Sequence, residues 1–358
     1  MLHLKVKKSE GEKTRKILIK KNVLNKDKKI LSKDNFLFFP LKKKVNISGE
    51  IVDIKAGKKE GRKKRIEDFL KGKISEDEIK LIPRSFDLVG DIIILELNEK
   101  LKKKRKIIAE AFLNANKHAK TVLRKISKRE GEFRIRKFEI LAGENKTETI
   151  HKEYGSLIKI DVAKVYFSPR EALERQRIAS LVKENEKILV MFSGAAPFAI
   201  QIAKKQPKCS ITCIDSNPKA IEYANENIRI NKISDRVKNY CIDVREIQKK
   251  INEKFSRIVM PLPKGAHEFL DIAIPLLEDG GILHFYHWAK EDDLFSEAEN
   301  LIKEKAKKFK KNVKILDRRK VLPYAPRTWK IALDVCFSSE TKHSQEVKRD
   351  SIQNKVEK

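Results

Sequence analysis

Two aspartates in the second half of the sequence close apolar runs, and each stands where a strand would end. The first apolar run, Ile188 to Phe192, stops at Ser193-Gly194-Ala195-Ala196-Pro197. A helical pattern follows, then a second run, Ile211 to Ile214, closing on Asp215. A third run, from Lys238, closes on Asp243. Strand, tight turn, helix and a strand tipped by a carboxylate make the nucleotide-handling half of a doubly wound α/β domain. Ligands of such sheets sit beyond the carboxyl ends of the strands, where Gly194, Asp215 and Asp243 fall. An acid at the second strand tip accepts both hydroxyls of a ribose, and one at the third suits an adenine amino group. Ala195-Ala196-Pro197 stands where a dinucleotide fingerprint has the later glycines that let a backbone approach a pyrophosphate. The turn therefore fits a nucleoside without phosphates, S-adenosylmethionine rather than NAD. Met260-Pro261-Leu262-Pro263 ends a fourth strand in a rigid turn, short of two backbone donors, that can wall a flat pocket. Plainer readings stand beside these: Asp215 as the cap of a helix at Asn217-Pro218, Pro-Leu-Pro as a turn and no more, and the crevice as unused.

These residues need a sheet behind them, and 358 residues leave room for two or three domains with a real core. Residues 1–55 read as a small unit. Ser9 and Glu12 form a capping box before an amphipathic helix over Thr14 to Leu24, and short strands flank the Lys33-Asp34-Asn35 turn. That unit is expected to hold little core of its own. Lys55 to Arg65, rich in glycine and charge, reads as a flexible linker over 56–65. A second unit covers 66–160. It has a buried strand from Phe86 to Leu97, a helix from Ile107 to Ile126, an alternating strand from Glu132 to Ile140, and a strand from Ser156 to Ile160. The alternation puts Arg134 and Arg136 on one face of their strand. The third unit, 161–338, opens with a helix started by Ser168-Pro169 that carries Glu174, Arg175 and Arg177, and then alternates strand and helix. From 339 to 358 the chain is polar with almost nothing to bury, and disorder is expected there.

Lysine and arginine number 82 against 51 acids, a net charge of +31. A fold does not need that excess, and the usual reason for it is a polyanion, with nucleic acid the first candidate. No run of 18 apolar residues exists and the N-terminus lacks the apolar core of a signal peptide, so a cytoplasmic protein with no membrane association is expected. Cys209, Cys213, Cys241 and Cys336 are too few and too irregular for a disulfide framework. Cys209 and Cys213 are expected to flank or pack the second strand.

The segments YFSPREALER, MFSGAAPFAI, IDSNPKAIEYANENIRIN, IVMPLPKGAHEFLD, HFYHWAKEDD and PYAPRTW, with EFRIRKFEILAGENKTETIHKEYG upstream, resemble the archaeal and eukaryotic tRNA (guanine-37, N1)-methyltransferase family. The likeness covers nearly the whole chain except the tail. It implies a class I, Rossmann-like S-adenosylmethionine-dependent methyltransferase domain of α/β class, preceded by two smaller α+β RNA-binding domains. The implied partner is tRNA, bound by a monomer. The resemblance gives Glu174 the role of general base that removes the guanine ring proton. Arg134, with Arg136 as the other candidate, steadies charge on the adjacent carbonyl oxygen. Arg175, Gly194, Phe198, Asp215 and Ser216 are the implied methyl-donor contacts, together with Asp243, Val244, Pro261 and Pro263. Arg177, Lys264 and Arg327 are expected to meet RNA. Magnesium assistance is implied as well, although no metal site can be read in the sequence.

Two positions depart from the family's pattern. Pro261-Leu262-Pro263 stands where many relatives have Asn-Leu-Pro or Asn-Pro-Pro, and resembles an archaeal branch with some members that also methylate a tricyclic wyosine precursor. Val190 and Ala196 replace a common acid and a glycine of the donor turn. Two rivals share these features: an enzyme moving the aminocarboxypropyl group of the same donor, and an RNA-binding protein with a relic crevice.

Overall fold

The computed structural model describes residues 1–54, 64–127 and 129–340. The expected linker at 56–65 falls mostly outside the described residues, as does the expected tail from residue 341 onward. The chain divides into two compact units, Met1–Phe69 and Leu70–Lys358.

In the first unit the order is β1 (Leu2–Lys7), α1 (Gly11–Lys20), β2 (Leu31–Lys33), β3 (Phe36–Pro40) and β4 (Glu50–Asp53). The sheet is antiparallel in the order β2-β3-β1-β4. Leu4 and Val6 alternate with Lys5 along β1, which gives the sheet one apolar face. Leu18 of α1, with Val23, Leu24, Phe39 and Leu41, joins them in a closed cluster. The unit therefore has a core of its own, contrary to expectation, because its apolar residues come from segments too far apart to read as one pattern. The expected capping box is absent: Ser9 lies in a 3-10 turn, and Glu10 precedes the helix without a side-chain cap.

The units meet in sequence at α2 (Ile66–Leu70). There follow α3 (Glu76–Lys80), β5 (Asp87–Val89), β6 (Ile92–Leu95), α4 (Arg105–Ala115), β7 (Thr121–Lys125), β8 (Phe138–Gly143), β9 (Glu148–Glu153) and β10 (Ser156–Asp161). Strands β5 to β8 form one sheet in sequence order, with β6 and β7 parallel across the α4 crossover, while β9 and β10 pair as a hairpin. Three expectations change here. Phe86 to Leu97 is a hairpin that folds at Gly90, where φ is 56° and a Cβ would stand 2.1 Å from Thr149 Oγ1. The helix expected to reach Ile126 ends at Ala115, since β7 takes Val122 and Leu123 into the core. Glu132 to Ile140 is not a continuous strand. Residues 131–134 turn, Ile135 bridges back to Glu130, and β8 starts only at Phe138.

The remainder comprises α5 (Ala172–Leu181), β11 (Lys187–Met191), α6 (Pro197–Lys205), β12 (Ser210–Asp215), α7 (Pro218–Ile230), β13 (Val237–Cys241) and α8 (Ile247–Lys250). It continues through β14 (Phe255–Met260), α9 (Leu270–Leu276), β15 (Leu277–Lys290), α10 (Ser296–Lys308), β16 (Lys311–Ala325) and β17 (Thr328–Ser339). Seven strands form one sheet in the order β13-β12-β11-β14-β15-β17-β16. The first five are parallel, and β17 runs antiparallel to both its neighbours. This is the expected Rossmann-like α/β architecture. Central β11 explains it locally: Ile188 and Val190 enter the core on one face, Leu189 and Met191 the core on the other. A strand buried on both faces reads as an unbroken apolar run. Cys213 in β12 and Cys209 just before it are buried free thiols, as expected.

A further cluster joins Val89, Ile92, Ile94 and Leu123 to Val165, Ala195, Ala220 and Tyr223. It crosses the boundary expected at 160–161, so the α+β segment is packed firmly against the start of the Rossmann-like sheet. Among the described residues no helix is long and apolar enough to cross a membrane.

Candidate active site

The strand order reverses at β11, with β12 on one side and β14 on the other. The crevice over that point is where an open α/β sheet binds its ligands. Here it is a cavity of about 450 Å³, lined among others by Gly194, Asp215, Asp243, Val244, Pro261 and Phe269, with Arg134 and Tyr166 across from them. That volume suits a small ligand.

The turn after β11 is wound tightly. Phe192, Gly194 and Ala196 all have φ between 54° and 62°. Gly194 takes this conformation freely, whereas Ala196 holds it against the clash of its own Cβ. The winding aims the Gly194 N–H at Asp215 Oδ2, 2.7 Å away, while Asp215 Oδ1 accepts from Asn217 N at 2.9 Å. Asp215 thus closes the turn and holds the Asn217 backbone just before α7, and still lines the cavity. Burial raises its pKa, the two backbone donors working in the opposite direction. Asp243 likewise caps a short helical turn through Arg245 N at 2.8 Å, and meets the Arg245 guanidinium at 3.0 Å. The helix cap expected of Asp215 is instead Asn217, whose side chain accepts from Lys219 N at 3.0 Å, whereas Asp243 does cap its turn; both acids line the cavity. Ser216 lines the cavity and donates to Glu132 at 3.3 Å.

Arg134 reaches the crevice from the turn that replaced the expected strand. Its φ of 53° is uncommon for a residue with a side chain, and such strain gathers at functional sites. Its guanidinium lies 5.7 Å from the centre of the Tyr166 ring, and Arg129 lies 4.2 Å from the same ring. Burial lowers the Arg134 pKa. Tyr166 donates to Glu171 Oε1 at 3.2 Å, and Glu171 Oε2 meets Lys330 Nζ at 3.0 Å. Burial, followed by the Glu171 charge, pushes the Tyr166 phenol up to about 12. Burial would also raise the Glu171 carboxyl, but Lys330 and Arg175 outweigh it and hold that group low. Arg136 does not line the cavity, and its buried Nε has no partner.

Glu174 lies in the first turn of α5, buried and outside the cavity lining. Arg177 binds it through two bonds of 2.9 and 2.7 Å, and Tyr286 donates to it at 2.6 Å. The network continues inward from Arg177 to Asp334 at 2.5 Å, from Asp334 to His284 at 2.6 Å, and from His284 to Arg257 at 2.7 Å. Arg257 always donates, so His284 Nε2 accepts and its Nδ1–H points to Asp334. Burial keeps His284 neutral by lowering its pKa.

Four expected contacts sit elsewhere. Arg175 is 1% exposed and forms a bidentate pair with Glu153, at 2.8 and 2.5 Å, behind the cavity wall. Phe198 faces the core near Tyr286, and Pro263 is buried and absent from the cavity lining, which Pro261 and Leu262 join. Arg177, expected at RNA, is instead engaged by Glu174 and Asp334. Lys264 is exposed, and so is Arg327 at the tip of the β16–β17 hairpin. Sequence reasoning missed Tyr166, Glu171, Tyr286 and Lys330. The first two stand within YFSPRE, but only the fold shows what they meet. Among the described residues no cluster of three His, Cys, Asp or Glu side chains could hold a metal ion.

Family models match three consecutive stretches. The tRNA methyltransferase 5 N-terminal domain matches residues 4–48, the TYW2 N-terminal domain 66–147, and the TRM5/TYW2 methyltransferase domain 149–316. The tRNA (guanine(37)-N(1))-methyltransferase Trm5b of Pyrococcus abyssi is 40% identical over 333 residues, covering 93% of this chain and 98% of its own. The enzyme of the same name from Methanocaldococcus jannaschii is 42% identical over 344 residues, with the same coverage of 93% and 98%. A solved complex of aTrm5 and tRNALeu superposes with a TM-score of 0.70 at 39% identity, covering 94% of this chain and 99% of that one.

Proposed function

The chain belongs to the TRM5/TYW2 methyltransferase family, and from that premise we propose how it acts as an S-adenosylmethionine-dependent tRNA (guanine(37)-N(1))-methyltransferase. The observation that carries the reading is the meeting of Arg134 with Gly194, Asp215 and Asp243 around one open cavity. The residues present fit the donor. Asp215 and Asp243 offer acceptors to ribose hydroxyls and an amino group, and Val244, Pro261 and Phe269 supply flat apolar walls. When bound, the donor supplies a methyl group activated by its sulfonium.

The chain's own residues do the rest. A guanine N1 carries a proton at neutral pH and is a poor nucleophile until that proton leaves. Glu174 takes it. Three donors occupy its carboxylate, leaving one Oε2 lone pair to accept the proton. The electron pair freed on N1 forms the new bond to the methyl carbon, whose bond to sulfur would break with its electron pair left on a neutral thioether. Negative charge that spreads to the neighbouring oxygen meets the Arg134 guanidinium, fixed beforehand by its turn and by Tyr166. A second reading gives the proton to Glu171, because Glu171 rather than Glu174 touches the cavity-lining Tyr166.

The base must leave its stack to reach such a pocket, and a single-stranded anticodon loop permits that at modest cost. The +31 charge supplies affinity that weakens steeply with salt. We assign the grip on tRNA to the first unit and to the α+β segment, with Lys264 and Arg327 as contacts near the target. The reading is of a cytoplasmic monomer.

Reaction with donor labelled separately in its methyl and carboxypropyl groups, followed by mass spectrometry of the tRNA nucleosides, tests it. Methyl label alone, in 1-methylguanosine at position 37, is expected. Incorporation of carboxypropyl label alone overturns the reading in favour of aminocarboxypropyl transfer.

A further inference from the structure

The pairing of β14 with β15 ends at Met260 and Phe285, whereas β15 stays paired to β17 as far as Lys290 and Thr328. Residues 286–290 of β15, with the β16–β17 hairpin, thus rise beyond the carboxyl edge of the parallel strands. At about 3.4 Å per residue they make a wall roughly 17 Å tall beside the crevice. Tyr324 stands on this wall, 60% exposed. One face of its ring rests on Trp288, with centroids 4.0 Å apart and planes at 34°. The other face is open.

The wall is tied to the reaction site by its register. Trp288 lies directly opposite Lys330, and the Lys330 ammonium holds Glu171, which in turn holds the cavity-lining Tyr166. The Tyr324 hydroxyl is also within electrostatic reach of Arg134 and Arg136. Its surroundings are charged rather than apolar, and Glu291 there pairs with Lys320 at 3.8 Å. Arg327 is exposed at the hairpin tip, Lys290 is exposed at the end of β15, and Lys320 lies over the Trp329 ring. An exposed ring braced from behind, with the exposed Arg327 and Lys290 on the same wall, does not suit a protein core or a lipid surface. It suits a base attached to a phosphate backbone.

We propose that Tyr324, braced by Trp288, is a stacking platform for the nucleobase next to the methylated purine. A purine that swings out of its stack leaves its neighbour with one uncovered face, and the open face of Tyr324 takes the place of the departed ring. Nothing in the methyl-transfer step involves Tyr324, so its contribution falls on RNA binding and on the population of the extruded state. This inference rests on tRNA methylation being the reaction.

The test uses the full chain with Tyr324→Ala, Tyr324→Leu and Tyr324→Phe. It also uses two tRNA transcripts carrying 2-aminopurine on one or the other side of the target. Wild type and Tyr324→Phe are expected to quench one of the two probes on binding. Tyr324→Ala and Tyr324→Leu are expected to lose that quenching and to bind tRNA about 5- to 100-fold more weakly, the range of one base–aromatic stack. Their donor affinity by calorimetry and their Tm should match wild type. Wild-type tRNA affinity and quenching in the Ala and Leu variants would overturn the proposal. So would an equal loss of donor affinity, which would make the ring a brace for the hairpin, or a Phe variant that behaves like Ala. Failure of the wild type to methylate position 37 would instead strike the reaction assignment, since the Tyr324 series is read by RNA binding.

Discussion

Two pairs of carboxylates flank this site and are held in opposite ways. Asp215 and Asp243 sit at strand tips, bound by backbone N–H groups of their own turns and, for Asp215, of the Gly194 turn beside it, and line the open cavity. Glu171 and Glu174 sit at the start of α5, bound by Lys330, Arg177 and two tyrosines, and are closed off by them. The first arrangement leaves lone pairs pointing outward, which is what a ligand with hydroxyls and an amino group needs. The second surrounds buried acids with fixed cations and phenols, and Lys330 and Arg175 hold the Glu171 carboxyl low. Turn chemistry builds the one, and long-range pairing builds the other.

The sharpest way to break that contrast is to remove a cation. Arg177→Ala leaves Glu174 and Asp334 buried without their main partner. The expected cost is about 3–5 kcal/mol, read in calorimetry as a Tm lower by roughly 6–15 °C. A change of a degree or less would mean that these acids are not held by Arg177. Asp215→Ala should act the other way round. It removes one acceptor from the Gly194 turn, for a loss of about 1–2 kcal/mol in stability. Its main effect should be donor affinity lower by about 10-fold or more, since a hydrogen bond to a charged group is lost. Undiminished donor binding in that variant would place the nucleoside elsewhere.

The same contrast explains what the sequence revealed. The strand–turn–helix–strand of β11 to β12 and both strand-tip acids were legible because each is determined within a few residues. Ile188 to Met191 is apolar throughout, and Asp215 sits two residues from the Asn217 whose N–H it accepts. The α5 network was not legible. Tyr286 lies 112 residues from Glu174, and Asp334 lies 157 from Arg177. No spacing rule links them, so nothing in the sequence set Arg177, expected to meet RNA, between Glu174 and Asp334. The strand expected over Glu132 to Ile140 failed for a related reason. Its alternation suits a strand, but Gly131 and Arg134 adopt positive φ and turn the chain toward Tyr166. That failure matters to function, because the turn is what delivers Arg134 to the crevice.

The account depends most on which α5 acid receives the proton. Single-turnover methyl transfer at saturating donor and tRNA, compared between Glu174→Gln and Glu171→Gln, measures this directly. Glu174→Gln is predicted to bind both ligands normally and to react about 10²-fold more slowly or worse. Glu171→Gln, which only loosens Tyr166 beneath Arg134, should lose about 10-fold or less. A Glu174→Gln enzyme that turns over near the wild-type rate, beside an inert Glu171→Gln, would contradict the account.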